Sequence, residues 1–440
     1  MRVELSNNIF KNFIKYVSFN VISMIGLSCY ILADTFFVAN GVGSVGLTAL
    51  NLVLPVYSLV SGVGLMIGMG AGTKYSILRG RNNNKGANEV FTHAIIMGFL
   101  IGVILTIIGI FFSYDIAALL GADENVNPLA GMYLKTILMF SCPFIINNIM
   151  VCFIRNDNGP NLSMIAMLLG SFSNIILDYV FIFPLKLGMF GAAFATGLAP
   201  IFSLIVLSIH LIKKKNNFKL IKCKINRRYI KNIISLGVPS FITEFSSGII
   251  MLVFNFTILN IAENIGVAAY GIMANLALIV VAIFTGIAQG IQPIISKNYG
   301  QGKGGNVRKL YHYALITAIT LGTICYLMGI IFSNQIIAVF NKEQNQILLS
   351  IADEGIKIYF IAFFIMGVNI VTTSLFSSIN KPRESFIISI MRGCIAIIPL
   401  ILILPRIWGM PGVWITIPLA ELITLIISIK FYNKNKKILI

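Results

Sequence analysis

The chain has 440 residues, 57% of them hydrophobic and only 11% charged, with a mean hydropathy of +0.90. An average soluble domain carries about 25% charged residues, so too little polar surface is available to coat a water-soluble globule. A cytosolic enzyme, a secreted disulfide scaffold and a disordered chain are excluded on that ground. The formal net charge of +18 does not signal a nucleic-acid partner, because the basic residues fill short gaps between long apolar runs, a pattern that orients a membrane protein.

Runs of about 20 apolar residues read as spanning helices. In chain order they fall near 13–38, 47–72, 90–113, 130–153, 162–183, 188–212, 233–259, 267–295, 310–332, 356–379, 385–404 and 409–432. The first is too long for a cleavable signal, and no small-residue cleavage site follows it. The runs are continuous rather than alternating with period 2, which argues against a barrel. The expected fold is an all-α polytopic membrane protein of twelve transmembrane helices. The six cysteines are scattered and form no CxxC pair, so neither a zinc site nor a disulfide framework is indicated.

Loop charge sets the expected topology. Basic residues crowd the gaps after spans 2, 6, 8 and 10 and the C-terminal tail, from Arg79, Arg81 and Lys85 through Lys213–Lys231 to Lys381, Arg383 and Lys437. The gaps after spans 3 and 9 carry Asp123, Glu124 and Glu343 instead. Lys and Arg favour the inner side, so both termini are expected in the cytoplasm and the protein in the cell membrane. The lysine-rich gap after span 6 reads as a solvated connector, or as a lipid-headgroup patch.

The chain aligns with itself at an offset of 220: Lys11, Phe36, Asn40, Gly70, Gly102 and Gly109 match Lys231, Phe256, Asn260, Gly290, Gly322 and Gly329. After a shift of two, Lys135, Asn147 and Pro160 match Lys357, Asn369 and Pro382. These matches predict two six-helix bundles, 1–216 with a cation site and 217–440, related by a pseudo-two-fold axis along the membrane normal. Paired bundles suit a cavity that opens to each side in turn. One chain contains both halves, so a monomer is expected.

Ionisable residues inside a span are costly and need a reason. The first half carries Asp34 and Asp178. Asn174 precedes Asp178 by one helical turn, and Ala192 and Thr196 on the next span lie at similar depth. Two carboxylates, an amide, a hydroxyl and a backbone carbonyl would suit a small hard cation such as Na+. They would equally suit a proton, since desolvation and like-charge repulsion disfavour two bare carboxylates together. Capping of polar neighbours near the outer interface is the plainer alternative.

The cluster is not duplicated: Asp34, Asn174 and Asp178 align with Phe254, Ala396 and Leu400. The second half instead carries Glu244, Arg392 and Glu421, and Arg392 is expected to pair with one of these acids. Asn147, Asn148, Glu244, Gln289 and Arg392 are candidate substrate contacts, with interhelical bonding as the alternative. His93, His210 and His312 read as interfacial. No Walker A, HExxH or GxSxG motif appears, so no enzyme and no cofactor is expected.

Several of these residues lie in stretches that resemble the multidrug and toxic compound extrusion (MATE) family. They are ILADTFF at 31–37, ALNLVLP at 49–55, RNDNGP at 155–160, NIILD at 174–178 and GMFGAAFAT at 188–196. The resemblance covers essentially the whole chain. It implies a secondary multidrug efflux antiporter that exports cationic amphipathic compounds in exchange for H+ or Na+. It also implies an N-lobe ion site at Asp34, Asn174, Asp178, Ala192 and Thr196, with Glu244 similar to an acid used by some branches. Two departures stand out. Phe19 and Asn20 occupy the place of a proline often found early in helix 1, and the helix 10 aspartate of some branches is missing. The rival reading is a flippase for lipid-linked oligosaccharide or lipid, which would want a more cationic cavity.

Overall fold

The computed structural model describes residues 9–341 and 345–436. Glu343 and Lys437, counted above among the loop charges, lie outside the described residues. The described residues form fifteen α-helices and no strand. The first seven are α1 (Ile9–Gly41), α2 (Ser44–Gly80), α3 (Asn84–Leu119), α4 (Asn127–Met139), α5 (Ser141–Asn156), α6 (Pro160–Ile182) and α7 (Gly188–Ile212). Then follow α8 (Arg227–Gly300), α9 (Gly304–Ile331), α10 (Ser333–Phe340), α11 (Gln346–Tyr359), α12 (Phe363–Ser378), α13 (Pro382–Ile390), α14 (Ile397–Trp408) and α15 (Met410–Asn435).

Ten helical stretches among the described residues are long and apolar enough to cross a membrane, and the bent pair α4–α5 makes eleven. The 74-residue α8 would be about 110 Å long at 1.5 Å per residue, several bilayer cores. It is interrupted at Ala262 (φ −133°, ψ 19°) and Glu263 (φ 50°, ψ −151°). Divided there it supplies two crossings, and the total is the expected twelve.

The repeat is written into the breaks. Gly43 and Glu263, 220 residues apart, both have positive φ, as do Asn82 and Gly302 at the same spacing. Asn158 and Asn380 repeat the pattern at 222. Each lies between one helix and the next at positive φ, which glycine and then asparagine adopt most cheaply; Glu263 is the one charged residue among them. The fourth expected span is not one straight helix: α4 and α5 meet at a 50° bend around Phe140. Pro143 sits in the first turn of α5, where its missing N–H costs least. The tenth span breaks at the matching place, in a 3-10 turn over Phe360–Ala362. The eleventh contains a π turn at Met391–Ile395. Helix α1, without a proline, runs unbroken.

Two compact units emerge, Ile22–Phe245 (the first unit) and Met1–Val21 with Ser246–Ile440 (the second). In the first unit α2 lies between α5 and the opening of α8 through a run of glycines. A Cβ on Gly68 would meet Asn148 O and Cys152 Sγ, and one on Gly72 would meet Asn156. A Cβ on Gly70 would run into the Ile233 carbonyl, and one on Gly237 into that of Met66. In the second unit Gly290 meets Val17 and the Tyr16 carbonyl in the equivalent way.

The lysine-rich connector after α7 is docked rather than loose. Phe218 is fully buried among Phe91, Phe153 and Tyr75. The backbone amides of Lys219, Ile221 and Asn226 donate to Asn88 Oδ1 (3.1 Å), Thr92 Oγ1 (3.1 Å) and His93 Nε2 (2.9 Å) on α3. Buried Asp157 accepts from Tyr75 Oη (2.8 Å) and from the backbone and side-chain amides of Asn217 (2.7 and 3.0 Å), and its Oδ2 lies 3.2 Å from His210 Nε2. His93 and His210, read as interfacial from sequence, are buried beneath this strap.

Candidate ion and substrate site

Asp34 on α1, Asn174 and Asp178 on α6, and Ala192 and Thr196 on α7 all lie in the first unit and are all buried. Helices α6 and α7 are packed along their length by small residues: a Cβ on Gly170 would press on the Ala199 carbonyl at 3.1 Å. That close approach lets side chains from both helices meet. Oriented so that both ends of its amide are satisfied, Asn174 donates from Nδ2 to Asp178 Oδ2 at 3.1 Å. Its Oδ1 then accepts from Thr196 N–H at 3.1 Å and from the Thr196 hydroxyl at 3.3 Å. Four residues further along α7 stands Pro200, which has no N–H to give to the Thr196 carbonyl. Thr196 therefore sits where the helix's own hydrogen bonds are thinnest.

The charges of Asp34 and Asp178 act on each other. Oδ1 of each carboxylate is buried without a hydrogen-bond partner. A buried acceptor in that position is costly, and a proton or a hard cation would satisfy both atoms. Among the described residues no group of three His, Cys, Asp or Glu side chains could hold a metal ion.

Three tyrosines border the pair, and sequence reasoning missed all three. Tyr133 on α4 hydrogen-bonds Thr196 and feels the charges of both acids. Tyr30 and Tyr57 share a 2.7 Å hydroxyl–hydroxyl hydrogen bond. Tyr30 lies one turn before Asp34, and Tyr57 feels both Asp34 and Glu244. Glu244, half-buried near the opening of α8, hydrogen-bonds Ser61. Glu244 and Asp34 thus stand on either side of a polar seam of hydroxyls within one unit. A tyrosine in an apolar run reads as core; the available signal was the i, i+4 spacing of Tyr30 and Asp34.

The other candidates divide between the units. Asn148 Nδ2 reaches Ser61 O at 3.5 Å, beside the same seam, and Asn147 keeps a buried Oδ1 with no hydrogen bond. Gln289 is half-buried in the second unit. Arg392 Nε donates to Glu421 Oε1 at 2.7 Å. Asn369 Nδ2 donates to Glu421 Oε2 at 2.8 Å, and Ser428 donates to Asn369 Oδ1 at 2.9 Å. This is a closed ion-pair network. Its charges are matched inside the second unit, unlike those of Asp34 and Asp178.

The family model MatE matches residues 20–180 and 239–403. The chain belongs to the MatE family. MatE proteins are transporters and not enzymes, which agrees with the sequence reading. Both matched segments contain candidate residues: Asp34, Asn174 and Asp178 in one, Glu244, Gln289 and Arg392 in the other. Among relatives, the multidrug export protein MepA of Staphylococcus aureus (strain MSSA476) is 28% identical over 397 residues, covering 89% of this chain and 86% of MepA. The MepA of Staphylococcus saprophyticus is 27% identical over 411 residues, covering 92% and 90%. Among solved structures, a MOP superfamily transporter from Pyrococcus furiosus superposes with a TM-score of 0.91 at 22% identity, covering 100% of this chain and 99% of that one. An outward-facing multidrug resistance MATE transporter also gives 0.91, at 23% identity and with 98% and 96% covered. At that identity the likeness establishes the MatE fold alone.

Proposed function

We propose that the protein is a secondary multidrug efflux antiporter of the cell membrane, with both termini cytoplasmic. It exports cationic amphipathic small molecules in exchange for H+ or Na+ and works as a monomer without a cofactor. The observation that carries this is the pair of buried carboxylates, Asp34 and Asp178, each with an oxygen lacking a partner. The MepA relatives and the positive charge of the connector support the direction and the orientation. The ion sits at Asp34 and Asp178, with Asn174, Thr196 and the Ala192 carbonyl completing its shell. Asn147, Asn148 and Glu244, all in the first unit, line the path of the cationic substrate.

Exchange follows from linkage. A bound ion cancels the negative charge that attracts the drug, and a bound drug cation disfavours ion entry. Each ligand therefore weakens the other by the same factor. Entry of the ion from outside releases the drug there, and the reloaded carrier turns inward. The decisive test is a dye-loaded proteoliposome given a pH gradient or a Na+ gradient separately. Export should follow one of the two in wild type and neither in Asp34→Asn. Export driven by neither gradient in wild type overturns antiport.

A further inference from the structure

The docked connector frames a cluster of basic side chains in the first unit. A cavity of about 500 Å³ opens between the start of α3 and the end of the strap, and Lys85, Lys222, Lys224 and Arg227 line it. One acid, Glu89, shares the lining, but its carboxylate is engaged by the Tyr229 hydroxyl. Among the described residues no ion pair involves the four cations. They are mounted on a fixed frame, because the Ile221 and Asn226 amides are anchored to Thr92 and His93. An open, mostly apolar groove of about 370 Å³ starts at the same Arg227 and follows a single face of α8, lined by Ile230, Lys231, Ile234 and Ser235. Within the cavity lining Ile225 is 78% exposed, an apolar side chain among lysines.

We propose that this is an anionic-phospholipid site: the headgroup phosphate sits among Lys85, Lys222, Lys224 and Arg227, and an acyl chain follows the groove past Ile230 and Ile234. Arg227 stands at the junction, where a lipid's phosphate ends and its hydrocarbon begins. A free phosphate would use the cavity but have no use for the groove. Occupancy would clamp the strap to the opening of α8, the helix that carries Glu244.

The test uses the purified full-length protein, delipidated in a neutral detergent. Retention of added phosphatidylglycerol, phosphatidylcholine or inorganic phosphate is followed by native mass spectrometry. Maleimide labelling of Cys223, which lines the cavity, is followed by peptide mapping. Phosphatidylglycerol should be retained over phosphatidylcholine and should slow Cys223 labelling about tenfold, in keeping with a few-fold gain per basic residue near a lipid headgroup. The triple variant Lys222→Gln, Lys224→Gln, Arg227→Gln should lose about a hundredfold in phosphatidylglycerol affinity, at about fivefold per cation. The triple variant Lys213→Gln, Lys214→Gln, Lys215→Gln, on the same connector but outside the cavity, should stay close to wild type. Equal retention of the two lipids, equal losses in the two variants, or protection of Cys223 by inorganic phosphate as strong as by the lipid would each overturn the proposal.

Discussion

The two repeats share turns, bends and glycine contacts, yet they handle buried charge in opposite ways. In the first unit the charges of Asp34 and Asp178 act on each other, and each keeps an oxygen without a partner. At the matched positions of the second unit Phe254 is fully buried and stacked on Tyr270 at 5.1 Å, and Ala396 and Leu400 carry no polar group. Asn147 and Asn369 occupy one repeat position. The first keeps a buried, unbonded Oδ1, and the second is locked between Glu421 and Ser428. One copy leaves its polar groups available, and the other spends them on holding itself together. A duplicated scaffold can divide its labour this way because backbone packing, unlike the site, is indifferent to which copy carries the acids.

The strongest way to break this contrast is to neutralise the first unit. Asp34→Asn or Asp178→Asn should cut gradient-driven dye export about a hundredfold, the upper range of a coupling free energy. Phe254→Leu in the second repeat should keep at least half of it. Vesicle flux measures both, and equal losses would abolish the distinction. Stability should respond in the opposite sense. Glu421→Gln strands the Arg392 cation and should destabilise by about 3–5 kcal/mol, whereas Asp34→Asn removes an unsatisfied charge and should leave the melting temperature level or higher. Thermal unfolding in detergent reads the difference.

Next comes the packing that the repeats share. Gly237→Ala drives a methyl into the Met66 carbonyl and should cost about 1–3 kcal/mol. At its repeat position the second unit already carries a side chain, on Val17, whose Cα lies close to Gly290. Val17→Ala should therefore be the milder change in the same melting assay. The smallest effect concerns Cys223 on the strap. Partial burial, and then the Glu89 charge, hold its thiol above the ordinary cysteine range. The thiolate is the reactive form, so at pH 8 Cys223 should label more slowly than a free cysteine peptide and should catch up as the pH rises. Glu89→Gln should speed it.

Hydropathy made the crossings legible, because in lipid every backbone group must be satisfied within a helix. Ordered matches of Gly, Asn, Lys and Pro made the repeat legible. Asp34, Asn174 and Asp178 stood out because charge and amide are rare in such runs, and Ala192 and Thr196 joined them by their matching depth. The bend at Phe140 escaped because an apolar run gives no period change where a helix turns; Pro143 was the one cue. The docking of the connector escaped because Lys213–Lys231 reads as solvent-loving, while its anchors, Phe218 and Asn217, are single residues whose partners lie far away in sequence. Tyr30, Tyr57 and Tyr133 escaped because a phenol in an apolar run looks like any other ring.

The borders of the compact units, at 21/22 and 245/246, fall inside α1 and α8 rather than between the repeats. Each repeat therefore lends the opening turns of its first helix to the body formed by its twin. A single repeat on its own would therefore have a helix start with no body of its own to pack into, and a body missing the helix start that completes it.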